Sequence, residues 1–86
     1  MARYLIESQH TAEECLQVLD AILMMGADFV DRFDFGCKDG IHTCWAIVEA
    51  ESESAARKMV PAFVRSRARI VKVSKFTPQQ IRAAHK

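Results

Sequence analysis

The chain predicts an α+β fold centred on a four-stranded antiparallel sheet, and three features of the sequence predict it. Strand-like and helix-like stretches follow one another as strand, helix, strand, strand, helix, strand, helix. An Asp39-Gly40 dipeptide stands between two extended patterns, where a tight hairpin turn needs residues that tolerate positive φ. Two capping signatures, Thr11 with Glu14 and Thr77 with Gln80, mark where helices begin. At 86 residues, 50% of them hydrophobic, the chain is expected to form one domain, with its core in residues 2–76 and a helical extension in 77–86. A domain this small buries only part of its surface, so a partner or a staple is expected to add stability.

Each element has its own local reason. Arg3 to Ser8 is a short, largely apolar run that predicts a first strand. The Thr11–Glu14 box opens a helix whose Cys15, Val18, Leu19 and Ile22 share one face, widened by Leu16, Leu23 and Met25 and stopped at Gly26. From Val30 to Cys37 the pattern alternates, with Phe33, Phe35 and Cys37 on one side, which predicts a half-buried strand. The return strand is expected from Ile41 to Ala50. A two-residue turn would pair Cys37 with His42, Phe35 with Cys44 and Phe33 with Ala46. Ser52 can cap a second helix carrying Ala56, Met59, Val60 and Phe63, and Pro61 should break it and force a short restart. Ala68 to Phe76 alternates into a last strand. Thr77, Pro78 and Gln80 then start a short helix running to about His85.

Two strand–helix–strand units around a central hairpin give a ferredoxin-like βαββαβ split sandwich, with helices on one face of the sheet. The other face carries Thr43, Trp45 and Ile47, an apolar strip best covered by a second sheet. On this element order, size and two-faced sheet, residues 2–76 resemble a subunit of the dimeric α/β-barrel superfamily. Its members pack two ferredoxin-like sheets face to face and include muconolactone isomerases and antibiotic-biosynthesis-type monooxygenases. The resemblance implies a homodimer through Thr43, Trp45 and Ile47. It also implies a cleft between sheet and helices that cofactor-independent isomerases and monooxygenases of this kind use. No catalytic motif of those enzymes has a counterpart in this chain, and fold alone does not carry activity.

The densest chemistry is GCKDGIHTCW, Gly36 to Trp45, which holds two cysteines and a histidine around the turn. In the expected register Cys37, His42 and Cys44 share one face. The two sulfurs' Cβ atoms would then be about 7 to 8 Å apart, too far for a disulfide, which wants about 3.8 Å. A metal ion tolerates that spread, because each ligand reaches toward a shared point. Cys37, His42 and Cys44, with His85 from the C-terminal helix as a fourth ligand, would suit zinc or a similar ion. The competing reading makes both cysteines small core residues and His42 a strand-end residue with one hydrogen bond. Cys15 reads as helix packing. His10, near Glu7 and Glu14, has the neighbours of a general base, but is expected at the opposite end of the sheet from His42. A small-molecule pocket between sheet and helices would be walled by Phe33, Phe35, Cys44, Met59 and Phe63, with His42 at its mouth.

Charge narrows the partners. The net charge is +1, yet every Asp and Glu lies at or before Glu53, while Arg57, Lys58, Arg65, Arg67, Arg69, Lys72, Lys75, Arg82 and Lys86 all follow it. An acidic front and a basic back predict complementarity within the fold or across a dimer rather than attraction to phosphate. A lone Trp45 among apolar neighbours, with Glu49 close by, is not the ring-rich strand of an RNA-recognition sheet. Nucleic acid is therefore not an expected partner. No apolar run is long enough to span a membrane, no signal peptide is evident, and three cysteines without a secretory signal predict reduced thiols in the cytoplasm. The functional expectation is a homodimer that binds a small molecule or a metal ion. An isomerase- or monooxygenase-like enzyme and a purely structural or interaction module are the alternatives.

Overall fold

The computed structural model describes residues 1–85. Strand β1, Ala2–Gln9, is central, pairing antiparallel with β3, Thr43–Ala50, on one side and with β4, Arg69–Val73, on the other. The short β2, Asp34–Phe35, completes the sheet beyond β3, in the order β2-β3-β1-β4. Helices α1, Cys15–Met25, and α2, Ala27–Arg32, join β1 to β2, while α3, Glu53–Arg57, and a 3-10 turn, Ala62–Arg67, join β3 to β4. A last helix, α4, Pro78–Ala84, follows β4. Among the described residues no helix is long and apolar enough to cross a membrane.

One face of the sheet forms the core. Tyr4 and Ile6 of β1, Cys44, Ala46, Val48 and Ala50 of β3, and Ile70 of β4 are buried there beneath Val18 and Ile22 of α1, Ala56 of α3, and Val60 and Val64. The alternation in β3 therefore sorts as expected. Cys44, Ala46 and Val48 point inward, while Trp45 is half-buried and Ile47 is 54% exposed on the other side.

Local signals placed most boundaries correctly. The Thr11–Glu14 box forms one turn ahead of α1, with the Thr11 amide donating to Glu14 Oε1 at 2.8 Å. Ser52 caps α3 by accepting from the Ala55 amide, and the chain breaks before Pro61 and restarts as the 3-10 turn. Two arginines brace that break. Arg57 donates to the Ala68 carbonyl at 2.8 Å and Arg65 to the Val60 carbonyl at 3.0 Å, so carbonyls on both sides of the break are satisfied.

Three expectations are corrected. The alternating stretch from Val30 is not a long strand, because Ala27–Arg32 coils as α2 and only Asp34–Phe35 pair with β3. Asp28 in its first turn and Arg32 in its last suit the helix dipole, and Arg32 lies 4.8 Å over the Phe29 ring three residues back, a contact that helical spacing supplies. The hairpin turn is longer than two residues. Phe35 does oppose Cys44, but Cys37–Asp39 form a 3-10 turn, with Gly40 at φ 80°, before Ile41 returns to donate to the Gly36 carbonyl. Finally, Leu16, Leu23 and Met25 lie outside the core, and on the second helical segment Val64 rather than Phe63 is buried. The core covers only the narrow stripe of α1 around Val18 and Ile22, and the 3-10 turn after Pro61 rotates the residues that follow it.

Candidate metal centre

His10, Cys15, Cys37 and His42 converge at one end of the sheet, with their ligand atoms all within 4.8 Å of one another. Four different segments deliver them. His10 follows the last residue of β1, Cys15 opens α1, Cys37 opens the 3-10 turn, and His42 precedes β3. Because β1 and β3 are antiparallel and Gln9 pairs with Thr43, whatever leaves β1 meets whatever enters β3. The His10 amide donates to the His42 carbonyl at 3.0 Å, and the two rings stand edge to face with centroids 5.5 Å apart. His10 and His42 are thus neighbours, which overturns the expectation that they sit at opposite ends of the sheet.

The turn that presents Cys37 depends on glycine. The Gly36 amide donates to the Thr43 carbonyl at 2.9 Å, and the Gly36 carbonyl accepts from both Asp39 and Ile41 at 3.0 Å. A Cβ on Gly36 would fall 2.7 Å from the Ile41 carbonyl oxygen, so any other residue pushes the turn open. On the other flank, Arg67 makes a two-pronged ion pair with Glu14, at 3.0 and 2.8 Å, tying the residue before Cys15 to the second crossover. That pairing holds the Glu14 carboxyl down at about 2.

The electrostatics suit neutral donors. Burial, then the neighbouring His42, lowers the His10 pKa, so its imidazole is held neutral, the form that binds metals. Its Nε2 lies 3.4 Å from Cys37 Sγ. Burial, then the Cys15 thiol beside it, raises the Cys37 pKa, so a metal must displace a proton there. Both His10 Nδ1 and His42 Nδ1 are buried without a hydrogen-bond partner, an uncommon state for interior polar atoms. A tetrahedral zinc centre with ordinary Zn–S and Zn–N bonds separates its donors by about 3.3 to 3.8 Å. His10 Nε2 and Cys37 Sγ are already at that spacing, and no two donor atoms of the cluster are more than 4.8 Å apart.

Of the four ligands expected from sequence, Cys37 and His42 belong to this cluster; Cys44 and His85 do not. Cys44 faces the core opposite Ser8, where burial pushes its thiol up to about 11. His85 caps the end of α4 and is exposed. His10 and Cys15 were missed as ligands, although the antiparallel neighbours of a central β1 bring both to the His42 end. Of the expected small-molecule pocket, Phe33 is a core residue, Phe35 and Met59 pack against that core, and Phe63 is 40% exposed. A hollow of about 420 Å³ does exist, but on the opposite face, lined by Leu5, Arg32, Asp34, Trp45, Ala46 and Ile47. Of the expected interface strip, Thr43 is already buried within the chain, and the Trp45 indole donates to Glu7 at 3.1 Å. No protein-family model, curated protein or solved structure matches this chain.

Proposed function

We propose that this protein binds one transition-metal ion, zinc or an ion of similar softness, through His10, Cys15, Cys37 and His42. The observation that carries this reading is the convergence of two thiols and two imidazoles, from four separate segments, within 4.8 Å. Two sulfur and two nitrogen donors are the ligand set of tetrahedral zinc. Four protein ligands fill such a shell and leave no position for a substrate, so the ion is held rather than used for hydrolysis. His10 is buried while the other three ligands are half-buried, which leaves the ion a short path from solvent. The test is metal analysis of protein purified without a tag or chelator, with cobalt substitution as a reporter of thiolate ligation. One equivalent of metal, lost in Cys15→Ser/Cys37→Ser, supports the reading. Metal-free protein that takes up no cobalt at micromolar concentration overturns it.

The strand order β2-β3-β1-β4, with a helical crossover on each side of the hairpin, supports a ferredoxin-like arrangement and kinship with the dimeric α/β barrels. Exposed Ile47 and half-buried Leu5, Trp45 and Val71 on the open face support a homodimer through that face. Sedimentation equilibrium of the native chain and of Ile47→Asp tests it. Equal masses for the two would remove the sheet face as an interface.

A further inference from the structure

Every residue from Ser74 to His85 is exposed, including Phe76 at 75% and Ile81 at 50%. The described chain measures 52 × 28 × 23 Å, and its radius of gyration of 15.3 Å exceeds the roughly 12 Å of a compact chain this long. Yet α4 is fully specified. Thr77 and Gln80 close a reciprocal capping box, with bonds of 2.7 and 3.1 Å, and Pro78 starts the first turn. A seven-residue helix does not persist alone in water, whatever its caps, so this one is built to lie against something.

A surface of matching character lies elsewhere on the chain. On one side of α1, Leu16 is 69%, Leu23 58% and Met24 88% exposed, with Asp20 exposed in the same arc and Glu13 exposed in the turn just before the helix. Asp28 and Asp31 of α2 extend the acidic border. The arm is the reverse in charge, with Lys75 and Arg82 and no acidic residue. The arm leaves from β4, one edge of the sheet, and α4 makes no extensive contact with any other element of its own chain. A second copy carries the same surface, and the opposite charges of arm and α1 suit that contact.

We propose that the C-terminal arm, Ser74–His85, docks on the outward side of α1 in a second copy of the chain, so that two copies exchange arms. Phe76 and Ile81 meet Leu16, Leu23 and Met24, while Lys75 and Arg82 face Glu13 and Asp20. Reciprocal exchange satisfies both arms in a closed two-fold pair. The contact lies on the helix side of the body and is distinct from the sheet-face association above.

Mixed samples of isotope-labelled and unlabelled full-length chain, studied by filtered NOE spectroscopy, test the pairing directly. The expected result is interchain cross-peaks from Ile81 and Phe76 to the Leu16, Leu23 and Met24 methyls. Sedimentation should show Phe76→Ser/Ile81→Ser weakening association at least about 10-fold, and Asp20→Lys weakening it in a way that Arg82→Glu restores. All substituted residues are exposed, and unchanged circular dichroism will show that the body still folds. Intrachain cross-peaks only, a monomer at millimolar concentration, or association indifferent to the arm variants would each overturn the proposal.

Discussion

The His/Cys-cluster end of the sheet and the C-terminal arm are opposite in construction. At the former, four segments distant in sequence meet, and the meeting leaves two imidazole nitrogens unsatisfied. In the latter, neighbouring residues satisfy one another completely and the product touches little else. The first has tertiary organisation awaiting a ligand; the second has local organisation awaiting a surface. Complete local chemistry is therefore no sign that an element is finished, and incomplete local chemistry is a better pointer to a site.

Zinc should separate the two regions most sharply. Replacing Cys15 and Cys37 by serine should weaken zinc binding by more than about 100-fold in competition with a chromogenic chelator, whereas Cys44→Ala should leave the affinity unchanged. Equal losses for both variants would mean that the cluster is not the ligand set. The stabilisation comes next. Free zinc at about 100 times its dissociation constant should add about 2.7 kcal/mol, a rise of roughly 10 to 20 °C in melting temperature for a chain this short. Removing α4 should leave most of that rise in place, because none of the four ligands lies on the arm.

Smaller effects sharpen the contrast. Gly36→Ala should cost about 1 to 3 kcal/mol in urea unfolding and weaken metal uptake with it, since the new Cβ collides with the Ile41 carbonyl. Thr77→Ala should remove about 1 kcal/mol from α4 alone, visible as lost helical NMR shifts in residues 78–84 while the body's unfolding midpoint holds. Last is the Glu14–Arg67 pair. The folded Glu14 pKa of about 2 lies below its ordinary 4.5, so the folded state binds this proton less readily than the unfolded state. Its contribution is fully present above about pH 4.5 and fades as the pH falls toward 2. Glu14→Gln should flatten that part of the pH–stability curve; an unaltered curve would show that this solvent-exposed pair contributes nothing measurable.

Much of this was legible from residues three or four apart. Thr11 with Glu14, Ser52 with the Ala55 amide, Thr77 with Gln80 and the stop at Gly26 all form as their spacing predicts. The inward face of β3 was legible too, because alternation commits every second residue to one side. Misreadings came where two patterns overlap. Phe33 and Phe35 suit a strand, but Phe29 and Arg32 pair only in a helix, and α2 won.

By itself, then, the sequence determined where α3 and α4 start, which side of β3 faces the core, and how charge divides along the chain, since all of these depend on neighbours in the covalent order. Only the tertiary structure decided that His10 and Cys15 stand beside Cys37 and His42, and that Cys44 does not. It also decided which side of α1 stays bare. The grouping of those four depends on the antiparallel register of β1 against β3 and on the length of the Gly36–Ile41 turn, which bring side chains from separate segments within 4.8 Å of one another.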